Sequence, residues 1–133
     1  MYFLFFLLIV GVAGMILFRV APTDADRWHV SISETENADH IFGVARVIEG
    51  SPEKLEAFDA SFLLEPRTKI LAGTVNTGHI TYITHSAFWG FPDYTTVQLV
   101  GDELRISARL RFGRSDLGVN RTRIDRVLSI LKG

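Results

Sequence analysis

Arginine is the residue type whose spacing in this chain best suits ligand chemistry. Arg105, Arg109 and Arg111 lie in one alternating run near the C-terminus, and Arg114 follows them. A guanidinium presents a planar fork of donors that matches the oxygens of a carboxylate or a phosphate. The cluster is therefore a candidate anion-binding site. The interpretation that we favour over it is that these arginines pair with acidic residues or lie in water, because surface ion pairs are common and individually weak.

The stretch GRSDLGVNRTR, residues 113–123, could complete such a site. Asp116 and Asn120 are candidate members of the same ligand-binding set, but both types also bond backbone amides and cap helices. Gly113 and Gly118 permit turns that other residues resist. Ser115 reads as a turn or capping hydroxyl, since no histidine is near it in sequence. We interpret the stretch first as a structural corner and second as one wall of an anion site.

Several kinds of chemistry have no support in the sequence. The chain has no cysteine, which excludes a disulfide, a thiolate metal site and a cysteine nucleophile. His79 and His85 are six residues apart, so on one strand they would lie ~20 Å apart and could not share a metal ion. Nucleotide-binding glycine motifs and zinc-hydrolase motifs are missing. We therefore expect a protein that is not an enzyme and has no metal and no cofactor.

The N-terminus predicts a membrane anchor. The first eighteen residues, MYFLFFLLIVGVAGMILF, carry no charged side chain. As a helix, residues 1–20 would span about 30 Å, the thickness of a bilayer core. A cleaved signal peptide would begin with a positive region and end in small residues, whereas here the first charge is Arg19. We expect an uncleaved single-pass helix. Arg19 and Arg27 follow the span, which under the positive-inside rule favours a cytoplasmic C-terminal domain.

The charge is unevenly distributed along the rest of the chain. Residues 21–65 hold three basic and ten acidic side chains, a balance of -7, and residues 104–133 hold eight basic and two acidic ones, a balance of +6. The asymmetry indicates either a partner surface or two parts that neutralise each other in the fold. Residues 21–40 are predicted to form an acidic linker, in which Trp28 lies at the membrane interface or packs on the domain. The net charge of -1 argues against nucleic-acid binding.

Residues 41–133 predict one α+β domain in the order β-α-β-β-β-β-α. Ser51 and Pro52 begin the first helix, whose apolar stripe is Leu55, Phe58 and Phe62. Short connections between the later strands indicate an antiparallel sheet with the helices packed on one face. The last strand alternates most regularly, with apolar and polar residues at successive positions of Leu104–Phe112.

The C-terminal half resembles a bacterial and plastid family known as domain of unknown function 1499. The resemblance covers about residues 40–132 and is carried by three motifs: an aromatic-Gly-Phe-x-Asp turn, a strand of alternating Arg and Ser, and the pattern G-x-S-D-x-G-x-N-x-x-R. The residues that match them are Gly90, Phe91 and Asp93; Arg105, Ser107, Arg109 and Arg111; and Gly113, Ser115, Asp116, Gly118, Asn120 and Arg123. Tyr94 and Ala108 depart from the family, which often has a second acid and a small polar residue there.

The resemblance implies no established reaction. Many members look like exported proteins or lipoproteins, and short anchored members are typical of alphaproteobacteria. This implies a bacterial inner-membrane protein with its domain in the periplasm, the opposite of the orientation that the arginines favour. The strand order is compatible with a helix-grip domain, whose sheet curls around a long C-terminal helix.

Two functions are consistent with these observations. The first is a membrane-anchored, non-enzymatic accessory protein that binds membrane lipid or a membrane-protein partner, as a subunit of a larger complex. The alternative is a module that binds a small ligand or a lipid headgroup through an arginine-lined sheet face.

Overall fold

The computed structural model describes residues 1–20, 22–111 and 117–132. Four helices and six strands follow one another along the chain. The helices are Tyr2–Val20 (α1), Ala25–Trp28 (α2), Pro52–Phe62 (α3) and Val119–Lys132 (α4). The strands are Ala38–His40 (β1), Gly43–Glu49 (β2), Thr68–Thr74 (β3), His79–His85 (β4), Pro92–Val100 (β5) and Glu103–Leu110 (β6).

The six strands form one antiparallel sheet in the order β1-β2-β6-β5-β4-β3. Helix α3 carries the chain from β2 across the sheet to the far edge, and β3 to β6 then return strand by strand until β6 pairs with β2. The predicted α+β class and antiparallel sheet are confirmed. The short edge strand β1 and the single turn α2 are additions that the sequence did not indicate.

The core lies between the sheet and helices α3 and α4. The predicted stripe of Leu55, Phe58 and Phe62 is fully buried, and the Phe62 ring centroid lies 4.7 Å from that of Tyr82 on β4. Side chains of α4, including Ile124 and Val127, fill the space next to β6 and β2. Burying each large apolar side chain contributes about 1.5–3 kcal/mol, so this layer is the main source of stability.

Helix α3 begins as its sequence predicts. The Ser51 hydroxyl accepts a hydrogen bond from the Lys54 backbone N–H at 3.1 Å, and Pro52 occupies the first turn. A serine N-cap satisfies a donor that has no partner inside the helix, and Pro costs nothing where no N–H is needed. Because the cap fixes where the helix starts, it also fixes which face of α3 meets the sheet.

Helix α1 projects from the domain. It is long and apolar enough to cross a membrane, although length and composition are weak evidence because a signal sequence has the same properties. None of its side chains is buried by the domain. Among the described residues, its C-terminal end contacts the loop between β4 and β5: the Phe18 and Phe91 rings meet edge to face with centroids 4.6 Å apart, and the Arg19 Nη2 donates to the carbonyls of Ala87 and Phe88, both at 3.1 Å.

The segment predicted as an acidic linker is part of the folded domain. Trp28 and Ile32 are 7% and 6% exposed, and Ala38–His40 pairs with β2 as the edge strand β1. Residues 21–40 are mostly polar, but two of their apolar side chains, Trp28 and Ile32, are buried against the sheet. Of the two positions predicted for Trp28, the structure has the one on the domain.

Candidate functional site

The sheet face opposite α3 and α4, called here the open face, is partly covered by the N-terminal segment 22–34. Strand β6 alternates as predicted, so that Arg105, Ser107 and Arg109 point to the open face while the apolar positions between them enter the core. The register places Tyr94 of β5 opposite Arg109 and Thr96 opposite Ser107. A polar surface is thus formed by the central strands and closed by the segment above them.

Trp28 is the centre of this surface. Its ring stacks on Tyr94 with centroids 4.0 Å apart, and the Arg109 guanidinium lies 4.6 Å from the centroid of Trp28. A cation over an indole is attracted by the negative face of the ring. Tyr94 thus provides the aromatic ring that holds Trp28 on the sheet. Arg109, a predicted ligand-binding residue, is held by an aromatic ring instead of a carboxylate.

Arg111 lies at the end of the same surface. Its Nη1 donates to the Tyr94 hydroxyl at 3.2 Å and to the Thr23 hydroxyl at 3.4 Å, and these two hydroxyls are 2.9 Å apart. Arg111 thereby ties the segment that follows α1 to β5.

Arg105 does not join the other two arginines. It is paired with Glu103, with Nη2 3.0 Å from Oε2, and it donates to the Ile32 carbonyl at 3.3 Å. Four residues separate it from Arg109 along the strand, or ~13 Å at the usual rise. The three arginines share a face as predicted, but they do not converge on one ligand.

A cavity of about 160 Å³ lies beneath the N-terminal segment. It is lined by Trp28, Tyr94, Arg109 and by hydroxyl side chains, among them Ser107 and Thr96 of the sheet and Ser31 and Ser33 of the segment. Since water occupies about 30 Å³ in the liquid, the space suits a small anion or a few waters. One guanidinium and several hydroxyls are the donors that a phosphate or carboxylate would need, whereas the Glu34 carboxylate, which also lines the cavity, would repel an anion.

Two histidines that are fifty residues apart in the sequence are stacked beside this cavity. The rings of His29 and His79 lie 3.8 Å apart between centroids. The His29 Nδ1 is 2.8 Å from the Thr81 hydroxyl, and the His79 Nε2 is 3.1 Å from the Val30 carbonyl. Burial, and then the charge of His29, lower the pKa of His79. The pair fixes the segment to β4.

The motif residues Asn120 and Arg123 are structural. Asn120 is fully buried and accepts a hydrogen bond from the Arg123 Nη1 at 2.9 Å. That same nitrogen is 4.0 Å from the Asp93 carboxylate, which belongs to the aromatic-Gly-Phe-x-Asp turn. Burial lowers the pKa of the Arg123 guanidinium. Asn120, predicted as a ligand-binding residue, therefore serves the join between α4 and β5.

Part of the predicted site falls outside the described residues. Arg114 and Asp116, with the structural positions Gly113 and Ser115, lie between residues 111 and 117 and outside the described part of the chain. Gly118 and Gly90 do have positive φ angles, 77° and 74°, which glycine adopts without strain. Gly118 fits the interpretation of a structural corner before α4.

Acidic side chains from residues 21–65 pair with basic side chains from residues 104–133 in the fold. Arg126 binds Glu65 in a bidentate pair, in which Nε and Nη2 each donate to one carboxylate oxygen at 2.9 Å, and Arg121 lies 3.3 Å from Asp39. These contacts favour mutual neutralisation as the reason for the asymmetry. The arginines of the open face take no part in them.

The residues that sequence reasoning missed are Trp28 and the two stacked histidines. Trp28 and His29 are adjacent in the chain, but their partners lie on the distant strands β4, β5 and β6, so no local spacing could signal these contacts. Within residues 1–20, 22–111 and 117–132, no group of three or more His, Cys, Asp or Glu side chains is placed to hold a metal ion.

Comparisons with known proteins agree with the motifs. A search of curated proteins finds no match. The model of the family described as "Protein of unknown function (DUF1499)" matches residues 19–131, so the match includes the N-terminal segment that packs on the sheet as well as the sheet and α4. The chain therefore belongs to the DUF1499 family.

Proposed function

We propose that the protein is a membrane-anchored, non-enzymatic accessory protein whose domain is held at the membrane surface, where it binds a membrane component. The observation that carries the proposal is the joint between α1 and the domain. Arg19 caps two carbonyls of the loop before Phe91, and Phe18 packs on that ring. A domain joined in this way stays next to the end of its helix.

The properties of α1 support an anchor. Up to Phe18 the helix is apolar on all sides, and none of its residues is buried, which is costly in water and favourable in hydrocarbon. The histidines of the open face support a non-enzymatic role. The Thr81 hydroxyl that His29 contacts is fully buried and shares a hydrogen bond with Thr96, so it is not exposed to a substrate, and the His79 Nε2 contacts a backbone carbonyl.

The first experiment is extraction of native membranes with alkaline carbonate and then with a mild detergent. The anchor predicts that the protein resists carbonate and is released by detergent. Size analysis and mass spectrometry of the detergent extract then test the accessory role. Co-migration with a large membrane complex would identify the protein as a subunit, whereas a lone small species would overturn that part of the proposal.

We further propose that the domain lies in the periplasm of a bacterium, anchored in the inner membrane. Because the chain has no cysteine, a single introduced thiol reports its own compartment. Asn76 is exposed in the turn between β3 and β4, so Asn76→Cys should be labelled by a membrane-impermeant maleimide in intact cells. Labelling only after lysis would place the domain in the cytoplasm.

The cavity under the N-terminal segment supports a second candidate, a module that binds a small anion. Arg109 and the hydroxyls of Ser107 and Thr96 line that space together. Inorganic phosphate is the probe, and binding would be followed by the emission of Trp28, which touches the cavity. Arg109→Gln should abolish the response and Arg121→Gln should keep it, because Arg121 lies on α4 and does not line the cavity. No response of the unaltered protein would refute this candidate.

A further inference from the structure

Among the residues that the structure describes, one end of the sheet carries most of the exposed large apolar side chains outside α1. The antiparallel register brings the starts of β2, β3 and β5 and the ends of β4 and β6 to that end. The segments that connect the strands and helices at this end expose apolar side chains. We call the surface that these side chains form the apolar end. Its residues are Ile41, Phe42, Leu63, Leu64, Phe88, Trp89, Leu117 and Val119.

Helix α1 joins the domain at this same end. The loop between β4 and β5, which carries Phe88 and Trp89, is the loop that Arg19 binds through its carbonyls. Arg19 is one residue from the end of α1. The apolar end therefore lies level with the C-terminal end of the helix, which is the headgroup level if the helix spans a bilayer.

A basic groove opens at the apolar end. Arg19, Arg67, Lys69 and His85 line a volume of about 590 Å³, with Leu63 as an apolar wall. Within the described part of the chain, Arg19, Arg67 and Lys69 form no ion pair, and the two arginines donate only to backbone carbonyls. The carboxylate that also lines the groove, Glu65, is bound by Arg126.

We propose that the apolar end is a docking surface for an anionic phospholipid bilayer, in which Phe88 and Trp89 enter the interface and the basic groove binds a headgroup phosphate. The inference rests on the proposed membrane anchor and deepens it by naming the lipid. Aromatic side chains favour the membrane–water interface. Cations beside an anionic surface are attracted to it by about 1 kcal/mol each, a factor of about five. The apolar loops would contact the acyl region of a phospholipid, and the basic groove beside them would bind its headgroup phosphate.

The lipid site differs from the one that the sequence suggested. The arginines of the open face are engaged by Glu103, Trp28 and Tyr94, on a face that the N-terminal segment covers. The groove uses Arg67 and Lys69, which no sequence pattern singled out. Arg67 has a φ of 57°, an uncommon angle for a residue other than glycine, and it turns the chain from α3 into β3 at the apolar end.

Trp89 provides the first test. The full-length protein is reconstituted in vesicles of phosphatidylcholine and phosphatidylglycerol, with or without bromine on the acyl chains. The chain has two tryptophans, of which Trp28 is buried and Trp89 is 43% exposed. We expect brominated lipid to quench the emission, Trp89→Phe to remove the quenched fraction and Trp28→Phe to retain it.

The groove is tested by a charge-matched pair of variants. Arg67→Gln with Lys69→Gln removes two charges from the groove. Lys54→Gln with Lys132→Gln removes two charges at the opposite end of the sheet, where α3 begins and α4 ends. Native mass spectrometry counts phosphatidylglycerol and phosphatidylcholine retained by the detergent-extracted protein. We expect the groove variant to lose phosphatidylglycerol on the order of twentyfold and the control to keep it.

The outcomes separate the docking surface from the anchor. Protein that resists carbonate but shows no quenching of Trp89 would keep the anchor and overturn the docking surface. Protein that carbonate extracts would overturn the anchor, and the docking surface with it. Equal losses of phosphatidylglycerol in the two double variants would mean that the overall charge of the protein retains the lipid. That result would overturn the proposal that the groove binds it. Both variants are first shown to unfold at the temperature of the unaltered protein.

Discussion

The Arg123 guanidinium lies 4.0 Å from the Asp93 carboxylate, and both side chains are largely buried, 12% and 17% exposed. The two residues belong to different motifs of the family. Asn120 accepts a hydrogen bond from the same nitrogen of Arg123. The contact connects the start of β5 with the first turns of α4, so two motifs of the family fasten the last helix to the sheet.

Asp93→Asn should therefore destabilise the domain by about 1–3 kcal/mol, because it leaves a buried guanidinium without its carboxylate. Chemical unfolding in detergent measures the change. Arg121→Gln is the control, since Arg121 and its partner Asp39 are both about half exposed and such pairs contribute less than about 1 kcal/mol. If the two variants unfold at the same denaturant concentration, the join is not structural.

Trp28 is expected to hold the N-terminal segment on the sheet. Trp28→Ala removes its stacking with Tyr94 and its contact with Arg109 and should cost about 3–5 kcal/mol if the whole segment stays ordered. If the segment detaches instead, trypsin should cut after Arg27 many times faster than in the unaltered protein. Trp89→Phe, which alters an exposed ring, should change neither property. A stable, protease-resistant Trp28→Ala protein would contradict the role of Trp28 in holding the segment on the sheet.

Stability should fall as the solution is acidified below about pH 6.5. Burial lowers the pKa of His79, and the charge of His29 lowers it further. Burial also lowers the pKa of His85, and the charges of Lys69 and Arg19 add to that effect. Between the lowered pKa and 6.5 the unfolded chain binds more protons than the folded one, so the free energy of unfolding decreases as the pH falls.

The measurement is the denaturant midpoint at pH 7.5 and at pH 5.5. His79→Gln should reduce the difference between the two midpoints, because its share of the proton uptake is lost. Lys132→Gln, which changes no histidine, should leave that difference as it is. Identical pH profiles for His79→Gln and the unaltered protein would exclude His79 as a source of the effect.

The joint between α1 and the domain depends on Gly90. At its φ of 74°, an added Cβ would overlap the side chain of Arg19 and displace it from the carbonyls of Ala87 and Phe88. Gly90→Ala should therefore expose Arg19 and speed tryptic cleavage after it in detergent. Gly101→Ala is a matched control, since Gly101 also has a positive φ, 61°, but a Cβ there meets nothing within 4 Å.

Both variants should lose about 1–2 kcal/mol of stability from backbone strain, and only Gly90→Ala should change the cleavage after Arg19. Mass spectrometry of the fragments identifies the cut. Equal cleavage rates in the two variants would mean that Arg19 does not hold the helix to the loop.

Much of the architecture could be predicted because it follows from local rules. Period-two alternation in β6, the serine cap and apolar stripe of α3 and the uncharged run of α1 are each properties of neighbouring residues. The positions of Trp28 and Ile32 could not be predicted in the same way, because an apolar side chain in a polar segment is buried only if a surface elsewhere in the chain accepts it.

The sequence by itself determined that an apolar helix precedes an antiparallel α+β domain and that arginines line one face of its last strand. Only the tertiary structure decided what those arginines do: Arg105 meets Glu103, Arg109 meets Trp28 and Arg111 meets Tyr94. It also gathered Arg19, Arg67 and Lys69 around one groove. The reason is physical: hydrophobic period and capping act over a few residues, whereas charges separated by dozens of residues become neighbours only through strand order and register.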